Sequence, residues 1–268
     1  MLRIRRPQPA ALAHRRAICS GRHFALIAAA VFRLAFQRTA TPQEIEAALK
    51  FVADAETPPK FEPSETAKSW SYGWGKFDPT AGKTVSFQPI PHYTGAAWQG
   101  GAAWPDSVIG WVQLTATGGH PGNDLDHAAI RRWTAPKAMR ISIRSEAKHE
   151  PMPGDGFRAS ISSSRTGPLA SLILHQRSAD LSVAELQVEA GETLDFVADI
   201  GGSLGHDQFL WTIELKELPA AGATPAQRTA VTTWNSKADF VGPPTIRLEP
   251  WEQLAQILLV SNEFLFID

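Results

Sequence analysis

Five consecutive segments between Met139 and Leu218 either alternate apolar and polar residues or run apolar throughout, with turn-rich or polar connections between them. Met139, Ile141 and Ile143 fall on one side of an extended chain, and Arg140, Ser142 and Arg144 fall on the other. Phe157, Ala159 and Ile161 repeat the pattern against Arg158, Ser160 and Ser162. Phe209, Trp211, Ile213 and Leu215 do so again against Thr212, Glu214 and Lys216. A period of two buries one face and wets the other, which suits sheets packed face to face. The reading is a mainly β fold: an antiparallel β-sandwich of jelly-roll type with a small helical base drawn from both chain ends.

From Ser69 onward the strand-like segments are 69–77, 84–90, 108–115, 127–133, 138–145, 157–163, 169–176, 183–188, 193–200 and 208–218. Gly154-Asp155-Gly156 and Gly201-Gly202 supply residues that tolerate positive φ in tight connections. Ahead of the strands, Thr41-Pro42-Gln43-Glu44 starts a helix over 42–54. Threonine caps it, proline occupies a position whose N–H has no helical partner, and Glu44 closes a capping box. Ile45, Ala48, Leu49 and Val52 form its apolar stripe, and Trp251, Leu254, Ile257 and Leu258 form that of a closing helix from Pro250. The domain scheme is therefore a disordered or signal-like segment 1–30, the first part of the helical base 31–56, the sandwich 66–218, a loop 219–247, and the closing helix 248–268.

Residues 1–33 carry seven arginines and no acid, ahead of the apolar run Phe24–Phe32 with Ala28-x-Ala30 inside it. That pattern fits a secretory signal, which places the protein outside the cytoplasm, exported or periplasmic. The run is nine residues long, short of the roughly 20 needed to span a bilayer. The favoured reading of 24–38 itself is an amphipathic helix that buries Leu26, Ile27, Ala30, Leu34 and Phe36. Across the whole chain 26 basic residues balance 27 acidic ones, so no field points to nucleic acid. Cys19 is the one cysteine, which excludes a disulfide framework or a cysteine zinc cluster.

Nine tryptophans against two tyrosines, seven of the nine in or beside the expected sandwich, direct attention to aromatic surfaces. Indole faces stack on sugar rings while nearby polar groups take the hydroxyls. Trp74, Trp98 and Trp104 are the candidates for such a platform, whereas Trp111, Trp133 and Trp211 read as core. In Gly119-His120-Pro121-Gly122-Asn123-Asp124-Leu125-Asp126-His127 two histidines and two aspartates could hold a cation, but a solvated turn explains them better. His120 and Asp124 therefore enter as polar helpers to the tryptophans. Arg131 and Arg132 face opposite ways on a strand; Arg132 is the candidate that reaches solvent and grips a ligand, the other pairs with a buried acid such as Asp195 or Asp199, and structural pairing is the favoured reading for both. No nucleophile–base pair or spaced pair of carboxylates stands out, so the sequence points to a binding module with no catalytic residues, no metal and no cofactor.

Three stretches together resemble a known family: Arg33–Phe51; Gly118–Gly122 with Ala129–Pro136 and Gly154–Gly156; and the ending Pro250–Asp268. The family is that of large exported planctomycete-type proteins of unknown function, which accompany planctomycete-type cytochrome c domains. The resemblance covers roughly residues 31–268 and implies a carbohydrate-binding-like sandwich, with polysaccharide as partner. In the family a long helical region precedes the sandwich, so the resemblance also implies a truncated member. The alternative function is an interaction module that docks onto a larger helical or cytochrome-containing partner.

Overall fold

The computed structural model describes residues 9–55, 62–220, 222, 224, 231–244 and 248–261, with side chains from 23 onward. The chain divides into two units: Met1–Phe61 with Thr245–Asp268, and Glu62–Pro244.

The first unit is helical. Its elements are α1 (Pro9–Phe36), α2 (Pro42–Asp54) and α3 (Pro250–Leu259), so helices from both chain ends do pack together. Thr41 caps α2 through the expected box: its hydroxyl accepts the Glu44 N–H, and the Glu44 carboxylate accepts the Thr41 N–H. Arg38 grips both Glu44 oxygens at 3.0 and 2.7 Å and pulls that carboxyl down to about 2. The small core is Ala28, Phe32, Ala40, Ala48 and Leu254. This corrects the expected stripe of α1. Leu26 and Leu34 are exposed, because the i, i+4 pair that meets the other helices is Ala28 and Phe32, two residues out of phase with them. The helix also reaches back to Pro9, through the stretch expected to be disordered or signal-like. Among the described residues no helix is long and apolar enough to cross a membrane.

The second unit is the sandwich. In chain order its strands are β1 (Trp70–Gly75), β2 (Phe77–Asp78), β3 (Lys83–Thr84), β4 (Gln88–Pro89), β5 (His92–Tyr93), β6 (Ala97–Gln99), β7 (Gln113–Thr115), β8 (Gly118–His120) and β9 (Ala128–Thr134). They continue with β10 (Met139–His149), β11 (Phe157–Ser163), β12 (Gly167–Leu174), β13 (Ser178–Asp180), β14 (Val183–Val188), β15 (Thr193–Asp199), β16 (Phe209–Glu217) and β17 (Thr233–Asn235). One sheet runs β12-β11-β15-β9-β1-β4. The other runs β13-β10-β16-β8-β7-β6-β5, with β14 also on β10 and β17 also on β16. Every pairing is antiparallel. The alternation in the sequence translates directly: β10 buries Ile141, Ile143 and Ala147 and turns Arg144, Glu146 and Lys148 outward.

The inter-sheet core holds Trp133, Trp211, Trp234, Phe157, Phe196 and Ile161, all at or below 2% exposure. Into the same space β9 sends Arg131, which is itself 2% exposed. Its guanidinium donates to three main-chain carbonyls of the opposite sheet: Trp211 on β16 at 2.9 Å, Thr115 at 2.6 Å and Gly118 at 2.8 Å. No carboxylate partners it among the described residues. Burial pulls its pKa down to about 10, so it remains charged at neutral pH.

Some expected elements differ. The segment 84–90 breaks into two two-residue strands, and 108–112 is a turn closed by Asp106, whose Oδ1 accepts the Val108 and Ile109 N–H groups. Asp106 and Gly110 also exchange two main-chain bonds, which takes Val108 out of any ladder and into solvent. The expected loop 219–247 contains β17, and its Trp234 is buried edge-on against Trp133. Aromatic filling of the core won over the local turn composition there.

Arg131→Met would leave three buried carbonyls without their donor. We expect it to cost about 3–5 kcal/mol, as when one partner of a buried charged pair is removed. Urea unfolding followed by tryptophan fluorescence measures this; an unchanged midpoint would contradict the bridging role.

Candidate functional site

The turn at Asp106 sits at the base of a loop, Gly100–Trp111, that folds over the outer side of β6, β7 and β8. On those strands Gln99, Gln113 and His120 are successive cross-strand partners. Leu114 faces the core beneath them, so the three form a polar row on the other face. Gln113 Nε2 donates to Gln99 Oε1 at 2.9 Å, and Gln99 Nε2 donates to the Gly101 carbonyl at 2.8 Å, which fastens the start of the loop to the sheet. The glycines before His120 are needed for close approach. A β-carbon on Gly118 would collide with the Phe209 carbonyl, and one on Gly119 with the Gln113 carbonyl.

Over this row the loop places Trp104 at right angles to Trp111, ring centroids 4.8 Å apart, with His120 within 6.1 Å of both. The Trp104 indole N–H donates to the Trp111 carbonyl at 3.1 Å, so the ring is held while remaining 39% exposed. His120 Nδ1 lies 2.6 Å from the Pro121 carbonyl and must carry the ring proton to bond it, which leaves Nε2 with its lone pair. Burial lowers the His120 pKa, so the ring is neutral at pH 7. Gln113 Oε1 likewise accepts nothing from the described residues. The result is an exposed indole next to a buried imidazole whose Nε2 bonds nothing among the described residues, with Gln113 as that histidine's cross-strand neighbour.

The other expected site residues are placed elsewhere. Trp74 lies flat on His127, centroids 5.1 Å apart and planes 4° off parallel, and Asp124 Oδ1 holds that imidazole at 2.6 Å. Asp124 Oδ1 also accepts the Asp126 N–H, the Asx turn that the sequence suggested. Trp74 and Asp124 are thus joined to each other through His127, with one indole face covered. Trp98 stacks on Tyr72, donates to the Val241 carbonyl at 3.0 Å and packs against the core. Arg132 is committed to both oxygens of Asp195 at 2.7 and 2.8 Å, with its guanidinium 3.9 Å from the Phe87 ring centre, on the outer side of the other sheet. Of the six expected residues, only Trp104 and His120 share one open corner. Trp111, expected in the core, is the third member of that corner.

Chemistry of other kinds is not built up around it. Among the described residues no group of three or more His, Cys, Asp or Glu is arranged to hold a metal. Gly201-Gly202-Ser203-Leu204-Gly205 has the G-x-S-x-G spacing of a nucleophile elbow, contrary to the expectation that the chain holds no such spacing. The elbow needs a strand running into a helix, whereas here β15 runs through the turn into β16 and Ser203 bonds no base. Beside this turn Asp207 is fully buried; Oδ2 accepts the Gly205 N–H and Oδ1 accepts nothing.

No protein-family model matches the sequence, and no curated protein matches it. Solved structures do. The PA14 domain of MpAFP antifreeze protein is 12% identical with a TM-score of 0.22, over 40% of this chain and 52% of that one. A family 35 carbohydrate binding module from an environmental isolate is 15% identical with a TM-score of 0.24, over 48% of this chain and 89% of that one. The Podospora anserina GH26-CBM35 β-(1,4)-mannanase is 10% identical with a TM-score of 0.27, over 48% of this chain and 26% of that one. At such scores these likenesses carry no argument about ligand or activity.

Burial raises the Asp207 pKa above its ordinary 3.8. A raised carboxyl pKa favours the folded state in acid and weakens it as the pH climbs through the shifted value. Asp207→Asn is therefore expected to melt above the parent at pH 7.5, with the gap closing as the pH falls toward 3.8. Melting curves across that range would show it, and a pH-independent gap would contradict it.

Proposed function

We propose that the sandwich is a non-catalytic, carbohydrate-binding module of an exported protein, and that it holds glycan at the Trp104 corner. The observation that carries this is the exposed indole of Trp104, fixed through its N–H and its contact with Trp111, next to His120, whose Nε2 bonds nothing among the described residues. A sugar ring presents apolar C–H groups on its face and hydroxyl donors around its edge. The indole takes the first, and His120 Nε2 accepts from the second. A rigid aromatic held in advance loses little freedom on binding. The other two tryptophans of the expected platform, Trp74 and Trp98, lie outside this corner.

The helical unit favours a second role for its own part of the chain. Leu26, Leu34, Ile257 and Val260 stay exposed among its described residues, apolar side chains that a helical or cytochrome-containing partner would cover.

Trp104→Ala is expected to reduce retention on neutral plant and algal polysaccharides roughly tenfold or more in affinity electrophoresis, with the melting temperature unchanged. Trp98→Ala should instead destabilise the fold by about 3–5 kcal/mol. Retention should also weaken below pH 6.5, as His120 takes up a proton and loses its acceptor. No retention of any polysaccharide, or full retention by Trp104→Ala, would overturn the reading.

A further inference from the structure

On the outer face of the nine-stranded sheet, away from the Trp104 loop, four adjacent strands enclose a groove of about 580 Å³. That lies within the roughly 300–1,000 Å³ range of small-ligand sites. Two successive cross-strand rungs form its floor. One is Asp180–Glu146–Thr212, across β13, β10 and β16; the other is Arg144–Glu214–Asn235, across β10, β16 and β17. All six side chains stand on one face, because each pair in a rung is in direct register.

The pairing within the rungs is unusual. Glu146 sits directly opposite Asp180, a like-charge pair that destabilises a sheet. Arg144 sits directly opposite Glu214, yet neither side chain makes an ion pair or a hydrogen bond among the described residues. Asp180 Oδ1 accepts the Ser182 N–H at 2.7 Å, and bonds from the Ser182 side chain and backbone, with Arg144 nearby, hold its carboxyl below the usual range. On this same face Lys148 pairs with Glu150 and Arg140 with Glu185 at 2.7 and 2.9 Å, and Lys148 also acts on Glu146. On this floor Arg144, Glu146, Thr212 and Glu214 make no side-chain hydrogen bond or ion pair among the described residues, whereas Asn235 Oδ1 is taken by the Lys237 and Ala238 N–H groups and keeps only its amide donors free.

We propose that this groove is a second glycan site, independent of Trp104, that takes an amino-sugar segment. A protonated amine settles between Glu146 and Asp180 and relieves their repulsion. Glu214 accepts from ring hydroxyls, while Arg144, Thr212 and Asn235 donate to hydroxyl and ring oxygens. Three carboxylates against one guanidinium repel uronate or sulfated chains. A basic peptide would satisfy the carboxylates but leave the three donors idle.

The test is calorimetric titration at pH 6, where the amines are charged and the carboxylates ionised. The probes are the β-1,4-glucosamine tetramer, its N-acetylated counterpart, a galacturonate tetramer and trilysine. The proposal expects binding of the glucosamine tetramer at least tenfold tighter than the other three. Glu146→Gln and Glu214→Gln should each weaken it about tenfold with unchanged melting, and Trp104→Ala should leave it intact. No binding, indifference to both Gln variants, or equal binding of trilysine would overturn it. If neutral polysaccharides are still retained through Trp104 when the glucosamine tetramer fails, the groove falls and the corner stands. The reverse pattern removes the corner and keeps the groove.

Discussion

A single buried guanidinium holds the two sheets in register. Arg131 leaves β9 in one sheet and ends on the carbonyls of Trp211, Thr115 and Gly118 in the other. A buried charge without a counter-ion is costly, and it persists only where hydrogen bonds replace the lost water. Three carbonyl acceptors serve that purpose here. Two of them, at the end of β7 and the start of β8, flank the turn between those strands, so the bond network also pins the hairpin that carries Gln113 and His120. The position of the candidate site relative to the core follows from that bridge.

The two outer faces of the sandwich have different fates. On the six-stranded sheet Arg132 and Arg158 are spent on Asp195 and Asp199, and Phe77 and Phe87 cover Ile130 and Val197. That face is closed by ion pairs and apolar packing. On the nine-stranded sheet the face stays open. The Gly100–Trp111 loop covers only one end and leaves the Trp104 indole in solvent, and the strands at the other end carry unpaired polar groups. Both proposed sites therefore lie on one face, and the opposite face is the more closed of the two.

The sandwich was legible in the sequence because period-two alternation is a property of each strand by itself. The segments 157–163 and 183–188 match their strands end for end, and Met139–Ile143 alternates as read. What could not be read depends on partners far along the chain. Strands of two or three residues, such as His92–Tyr93 and Gly118–His120, exist only through their neighbours' hydrogen bonds and carry no pattern of their own. Trp234 sits in a Thr-rich stretch, and only the empty volume beside Trp133 explains it. The same limit governs the site. Composition marks tryptophans as candidates equally, and both Trp98 and Trp104 find a carbonyl for the indole N–H; they differ in that Trp98 packs against the core while Trp104 stays 39% exposed. For the adjacent arginines, opposite faces were predictable; that the inward one would bind carbonyls in place of an acid was not.

The account stands or falls on which indole is free to meet a ligand. Each tryptophan gives its own indole ¹H–¹⁵N signal, so one titration of the labelled protein with cello-, manno- and xylotetraose separates them. The account predicts that the Trp104 signal moves, accompanied by Trp111, while those of Trp98, Trp133, Trp211 and Trp234 stay fixed. Movement confined to Trp74 or Trp98, or no movement of Trp104 with any of the three, would contradict it.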